Sequence, residues 1–226
     1  PRVSHAMAYD SARDRIVLFG GVYQSGGIST GANDTWEWDG SDWTLRTPVS
    51  SPPLSSRHAM AYDAARGVVV MFLGVPSPEV WEWDGNDWTQ RSFAALPSWR
   101  NEPAMAYDSV RQKIVLFGGI GATSFQDTWE YDGVQWVQRS PATVPPRNYR
   151  HAMVYDSSRA RTLMFGGSGS MPSDIWEWDG SDWLRVSAGT SAPLIRRSHV
   201  MVYDGARGVS VMAAGLGIRD VWEWDG

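Results

Sequence analysis

The sequence predicts an all-β repeat fold of five four-stranded units, the last without its fourth strand, and three observations carry that prediction. The pair Tyr-Asp recurs at Tyr9, Tyr62, Tyr107, Tyr155 and Tyr203, at spacings of 53, 45, 48 and 48 residues. Each recurrence opens the same succession of four short runs, rich in β-branched and aromatic residues and bounded by Gly, Asp or Ser, which is the signature of strands joined by hairpins. No stretch shows convincing helical periodicity. A period of roughly 20 to 50 residues marks an array of supersecondary units that bury their faces on one another. The units fall at about residues 1–50, 51–97, 98–146, 147–193 and 194–226, read together as a single domain.

Each run has its own reason. The first, "HAMAYD", ends in an aspartate followed three residues later by an arginine in every unit: Asp10 and Arg13, Asp63 and Arg66, Asp108 and Arg111, Asp156 and Arg159, Asp204 and Arg207. Aspartate in a turn accepts hydrogen bonds from the backbone just ahead of it, so this pair is read as the cap of the first hairpin. The second run, "RIVLFGG", is a buried apolar strand closed by glycines. In the third, "DTWEWDG", the period of two puts both tryptophans on one face and the glutamate on the other. The Asp-Gly that follows (Asp39, Asp84, Asp132, Asp179) suits a tight hairpin, because glycine takes a positive φ without steric cost. The fourth run, "DWTLR", opens on another tryptophan. Thirteen of the 14 tryptophans hold such repeat positions. A residue present in every unit is best explained by a contact that every unit makes, and each buried indole contributes up to about 4 kcal/mol. A row of exposed indoles stacking on sugars is the rival reading.

Four-stranded units that cannot cover their own faces stack on neighbours, and radial stacking into a β-propeller leaves few free edges. At this level the chain resembles the kelch-repeat family across essentially all of its length. The residues that carry the resemblance are the glycine pairs Gly20-Gly21, Gly118-Gly119 and Gly166-Gly167, the apolar strands before them, the aromatic-Asp turns, and the tryptophan opening the fourth run. Leu73-Gly74 and Ala214-Gly215 replace the glycine pair in two units. The resemblance implies a β-propeller of five four-stranded kelch-type blades. Similar cysteine-free, arginine-rich arrays are bacterial, often parts of longer secreted or surface chains. Five is a low count for that family, and "VWEWDG" stops after the third strand of the fifth unit. Three outcomes stand open: a compact five-bladed ring with one incomplete blade, which is favoured, a piece of a larger propeller, or completion of the edge by another chain. An opening at Pro1 rather than Met suggests a processed product or an excised piece.

Composition narrows the chemistry. Without cysteine there is neither a disulfide framework nor thiolate catalysis. The net charge of −5 comes from 25 acidic and 20 basic residues with no basic stripe, so nucleic acid is not expected as a partner. The longest apolar run, "VVVMFLGV" from Val68, is too short to span a bilayer, so no membrane insertion is expected. His5, His58, His151 and His199 share one repeat position, taken by Pro103 in the remaining unit. One such residue per blade does not converge on one ion, so structural hydrogen bonding is expected there, with no metal and no cofactor. Arg2, Arg57, Arg100, Arg150 and Arg197 precede the first strand, and Glu37, Glu82, Glu130, Glu177 and Glu223 sit in the third. Equal numbers suggest paired charges. Catalytic carboxylates instead come as two in unlike environments.

Strand direction alternates, so the first-to-second and third-to-fourth turns share one end of a blade and the other two connections share the opposite end. The first end is near-uniform in sequence and the second varies, and recognition concentrates on variable loops held by a rigid scaffold. The variable end is therefore the expected binding face. Its candidates are Tyr23 and Gln24 in the insertion "VYQSGGISTGAN", then Trp99, Asn101 and Glu102 in "LPSWRNEPAM", then Phe125, Tyr149, Arg196 and Arg219. Trp99 is the only tryptophan outside the repeat positions and is the leading candidate. The expectation is a non-enzymatic scaffold, with no catalytic residues, that binds a protein or peptide. A lectin-like propeller binding glycan is the alternative, and an enzyme at the channel mouth ranks third. Self-association through the incomplete fifth blade is a further expectation.

Overall fold

In a computed structural model of the chain, which describes residues 2–169, 174–186, 193–215 and 217–226, the strands form five antiparallel sheets. The chain is all-β, with five blades of the β-propeller type, the last of three strands. Two compact units, Pro1–Asn101 and Glu102–Gly226, divide it.

In the first unit, blade 1 comprises β1 (Arg2–Val3), β2 (Ala6–Asp10), β3 (Arg15–Ser25), β4 (Ile28–Trp38) and β5 (Trp43–Arg46), and blade 2 comprises β6 (Ala59–Asp63), β7 (Val68–Leu73), β8 (Glu79–Trp83) and β9 (Trp88–Arg91). In the second unit, blade 3 holds β10 (Ala104–Asp108), β11 (Lys113–Phe117), β12 (Thr128–Tyr131) and β13 (Trp136–Arg139). Blade 4 holds β14 (Ala152–Asp156), β15 (Arg161–Phe165), β16 (Ile175–Trp178) and β17 (Trp183–Val186), and blade 5 holds β18 (Val200–Asp204), β19 (Val209–Ala213) and β20 (Val221–Trp224). Strands follow chain order within each sheet, apart from β1, which pairs with β3.

Every blade has two unlike faces. The face we call leading carries the tryptophans: in blade 2, Met60, Met71, Trp81, Trp83 and Trp88. The trailing face carries small and branched residues together with the buried glutamate: in blade 1, Ala8, Val17, Phe19, Thr35 and Glu37. In the first unit the leading face of blade 2 packs on the trailing face of blade 1, where Phe19, Met71, Trp83 and Trp88 share one core. The second unit repeats this twice. Trp176, Trp178 and Trp183 pack on Val115 and Phe117, and Trp222 and Trp224 pack on Leu163 and Phe165.

Polar groups tie two of these interfaces as well. Trp83 Nε1 donates to Glu37 Oε1 across the blades at 3.0 Å, and Trp88 Nε1 donates to Thr35 Oγ1 at 2.8 Å. In the second unit Trp178 donates to Glu130 at 3.0 Å and Trp183 to Thr128 at 2.9 Å. The arginine of the first hairpin completes the arrangement. Arg13 Nε donates to Asp10 Oδ2 at 2.7 Å and Nη1 to Glu37 Oε1 at 2.6 Å. Its guanidinium lies flat against Gly85 of the next blade, where a Cβ would sit 2.5 Å from Cζ. Gly85 also has φ of 97°, so both sterics and backbone conformation demand glycine there. Gly180 meets Arg111 in the same way. These contacts account for the repeated phrase: tryptophan, glutamate, aspartate, arginine and glycine recur because the interfaces between blades 1 and 2 and between blades 3 and 4 use all of them.

The charge pairing expected between the strand-preceding arginines and the repeat glutamates is therefore corrected. Glu37, Glu82, Glu130 and Glu177 pair instead with Arg13, Arg66, Arg111 and Arg159. The glutamate sits near the third-to-fourth turn, at the same end of the sheet as the first hairpin, whereas Arg2 and its counterparts enter at the opposite end. The Asp-Gly hairpin also differs in detail. Trp38 pairs with Trp43, leaving a four-residue connection in which Asp39 Oδ1 accepts from the backbone N–H groups of Ser41 and Asp42, each at 2.8 Å.

Candidate functional site

The insertion in blade 1 is not a loop. It continues the pairing of β3 and β4, past a bulge between Phe19 and Gly21, to Ser25 and Ile28, and Gly26-Gly27 turn the chain, with φ of 55° and 80°. Two consecutive positive φ values are what a two-residue hairpin of matching twist requires. Tyr23 and Gln24 lie on this ribbon on opposite faces. Tyr23 belongs to a closed polar cluster: its hydroxyl donates to Asp34 Oδ2 at 2.7 Å. Arg2 forks onto both oxygens of Asp34 at 2.8 and 2.6 Å and lies 4.4 Å from the Tyr23 ring centre. Trp36 Nε1 also donates to Asp34 at 2.6 Å. Burial alone would raise the Asp34 pKa, but the bonds from Arg2, Tyr23 and Trp36 outweigh it and hold it down at about 2.

Gln24 faces a cavity of about 460 Å³ in the first unit, which Val22, Ser56, Arg57, Val75 and Asn101 also line. Five connections meet here: the strand at the N-terminus, the blade 1 ribbon, the segment entering blade 2, the β7–β8 connection, and the segment after β9. The cavity thus joins two sequence candidates, Gln24 and Asn101. Two positions from Asn101, Trp99 is 44 % exposed, with its indole outside the core. Sequence reasoning passed over Arg57 as one of a row of arginines. The row does not exist in register, because counting back from the repeat-position histidine or proline places Arg2 and Arg100 three residues before it, Arg197 two, and Arg57 and Arg150 one. The residue one before is left-handed in all five blades (Ser4, Arg57, Glu102, Arg150, Ser198), with φ between 55° and 62°. That backbone turn, invisible in composition, aims the side chain at positions such as Arg57 out of the strand line.

In the second unit, Glu102 Oε2 accepts from Arg150 Nε at 2.8 Å, and the Arg150 guanidinium lies 5.8 Å from the Tyr149 ring centre. Phe125 is held by its backbone, donating to Gly119 O at 2.8 Å and accepting from Asn148 N at 3.0 Å. Arg196 is buried, and its guanidinium grips Asp220 through two bonds, the Nη2 one at 2.9 Å. That pair repeats the Arg2–Asp34 pair of blade 1, so Arg196 fastens its own blade rather than meeting solvent. Arg219 is exposed.

The histidines are each packed separately. His58, His151 and His199 lie edge-on to Phe19, Phe117 and Phe165 of the preceding blade, with ring centres 5.6 to 5.7 Å apart. The first glycine of the pair sits over each ring: a Cβ on Gly20 or Gly118 would come within 3.2 Å of the imidazole Cε1, and one on Gly166 within 2.6 Å. Histidine and glycine pair are thus two halves of one contact. Burial pushes His58 down to about 4 and His151 to about 3. Protons therefore bind the unfolded chain before the folded one. We expect full stability above about pH 6.5 and a loss of about 1.4 kcal/mol per pH unit for each such histidine as pH falls toward 4. Thermal melts between pH 7 and pH 4 on the protein and on His151→Gln, which carries one fewer titrating ring, should show a shallower decline in the variant.

No family model matches the chain, and no curated protein matches it. Among solved structures the chain is similar to the one titled "Structure of YjhT", at 13% identity and a TM-score of 0.74, over 98% of this chain and 80% of that one. At that identity the likeness speaks for the β-propeller fold alone.

Proposed function

We propose that this chain is a kelch-type propeller module that recognises a protein or peptide with the end of its blades opposite the Asp-Gly turns. The cavity bounded by Gln24, Arg57 and Asn101 carries the reading. It is formed where non-repeating segments meet, its lining mixes amides, hydroxyls and a guanidinium with valines, and the exposed Trp99 lies two residues before Asn101 in the chain. Amides and hydroxyls match the hydrogen-bonding needs of a peptide backbone, and tryptophan is among the residues enriched at interface hot spots. The repeated glutamates support binding over catalysis, because each is held in the same kind of ion pair, whereas acid–base chemistry needs two carboxylates held unlike one another.

The test is selection of a phage-displayed random peptide library on the whole chain. Selected peptides should lose at least about tenfold in affinity, roughly 1.4 kcal/mol, on Trp99→Ala and on Asn101→Ala, and should keep their affinity for Ser181→Ala at the other end of a blade. Peptides that bind all four proteins alike would sink the proposal. Exposure of Trp99 favours one other reading, a glycan site in which the indole stacks on a sugar. Binding on a glycan array that Trp99→Ala removes, with no peptide selected, would establish that reading instead.

A further inference from the structure

Outside blade 1 the third strand of a blade, β8, β12, β16 or β20, is four or five residues long. β4 has 11, and the additional length is the ribbon it forms with β3. β5 covers only the last part of β4, from Thr35 to Trp38. Along Ile28–Gly31, therefore, the outer edge of β4 has no strand beside it among the described residues. The turn fixes which backbone groups that edge presents. In a two-residue hairpin the residues flanking the turn bond to each other, so Ser25 pairs with Ile28 in this way and, two residues along, Tyr23 with Thr30. The N–H and C=O groups of Ser29 and Gly31 then point away from β3, to the open edge. Both residues are exposed, and among the described residues no backbone bond from a neighbouring segment reaches either of them. Two positions further on the edge is covered, where Asn33 O accepts from Ser51 Oγ at 3.1 Å.

An open strand edge invites pairing, and folds ordinarily blunt it with charge or proline. The outermost strands of blades 1 to 4 each carry an arginine: Arg46, Arg91, Arg139 and Arg185. Ile28–Gly31 reads "ISTG" and has neither device. Nor does the chain itself demand glycine at position 31. Its backbone is not left-handed, and a Cβ there would make only ordinary contact, 3.8 Å from Leu54. Glycine inside a strand often marks a place where another backbone comes close. The outer part of the ribbon is also only two strands wide, since β1 pairs no further than Arg2 with Tyr23. Two strands alone are marginal, and an added strand stabilises them.

We infer that the partner binds this edge as an added β-strand, pairing its backbone with that of Ser29 and Gly31. The inference rests on the peptide-recognition reading above and says how the peptide is held. The occupant is an extended segment, because N–H and C=O groups repeated at every second residue along an edge are met together by another strand. Its side chains alternate as well. One set falls on the ribbon face that Gln24 and Ser29 turn to the cavity, with Leu54 exposed beside it. The other set falls on the face that carries Ile28 and Thr30.

The test is a backbone methylation scan. A synthetic peptide recovered from the library selection is methylated at one backbone nitrogen at a time and titrated against the whole chain. Within the paired stretch, affinity should fall about tenfold or more at alternate positions and hold at those between, because only every second N–H faces β4. On the protein, Ser29→Pro removes one edge N–H and sets its ring where the peptide would lie, and it should weaken binding by a similar factor, with circular dichroism to confirm the fold. The scan uses the unaltered protein, so it decides the matter even where the proline variant misfolds. Methylation tolerated at every position, or losses without alternation, overturns strand addition and leaves peptide recognition standing wherever Trp99→Ala still weakens the same peptide. A selection that yields no peptide overturns both. A dimer seen in sedimentation, abolished by Ser29→Pro and undisturbed by the peptide, would give the edge to a second copy of the chain and overturn the inference too.

Discussion

Glu130→Ala is expected to destabilise the second unit by about 2–3 kcal/mol, because it removes the buried acceptor of two hydrogen bonds, one of them from a guanidinium. Glu130 is 2 % exposed. It takes Arg111 Nη1 on one oxygen, has Arg139 at 3.5 Å from the other, and accepts the Trp178 indole N–H from the next blade. Alanine would leave Arg111 Nη1 and the Trp178 indole N–H without their acceptor, with Asp108 still holding Arg111 Nε at 2.7 Å and the guanidinium against Gly180. Glu130→Gln, which keeps an acceptor for Trp178 but not the charge, should cost less. Glu223 occupies the same repeat position in blade 5, but its side chain is 49 % exposed, and there Glu223→Ala should cost less than about 1 kcal/mol. Urea unfolding followed by tryptophan fluorescence measures all three. Equal losses at Glu130 and Glu223 would show that burial does not set the worth of this pair.

Trp88→Ala should cost about 3–5 kcal/mol, the range for removing a large aromatic from a packed core. Trp88 is 1 % exposed and meets Phe19 edge-on at 5.2 Å, and it gives its indole N–H to Thr35. Truncation opens a cavity between two blades and leaves the Thr35 hydroxyl without its partner. Trp43 holds the same repeat position but is 40 % exposed. There Trp43→Ala should cost less than about 1 kcal/mol. Comparable losses at the two positions would show that burial does not set the worth of this tryptophan.

How far the sequence could be read depended on the range of the interaction. Strand positions, blade count and the missing strand of blade 5 follow from the repeat, because hairpin pairing is local and its period of two is written directly in "WEW". Likewise Asp10 with Arg13 is a turn contact three residues long, visible without coordinates. The partner of Glu37 was not visible: Arg2 and Arg13 both recur once per unit, and only the antiparallel order, which brings Arg13 and Glu37 to one end of the sheet, separates them. The site is harder still. Gln24 and Asn101 were singled out because they break the repeat, and the fold places them around one cavity. Arg57 lies with them because of a left-handed backbone turn that no residue type announces, whereas Arg196, an equally plausible surface cation by sequence, is buried on Asp220.

The sequence alone determined that this protein is a stack of like four-stranded sheets. A pattern renewed every blade encodes contacts within the blade and between like neighbours, and those need no knowledge of the whole. Only the tertiary structure decided which copies of each repeated residue are covered. Trp43 and Trp88, or Glu130 and Glu223, are the same letters in the same phrase, and they differ solely in whether another sheet excludes water from them. Desolvation is a property of what lies opposite, and a one-dimensional repeat does not record it.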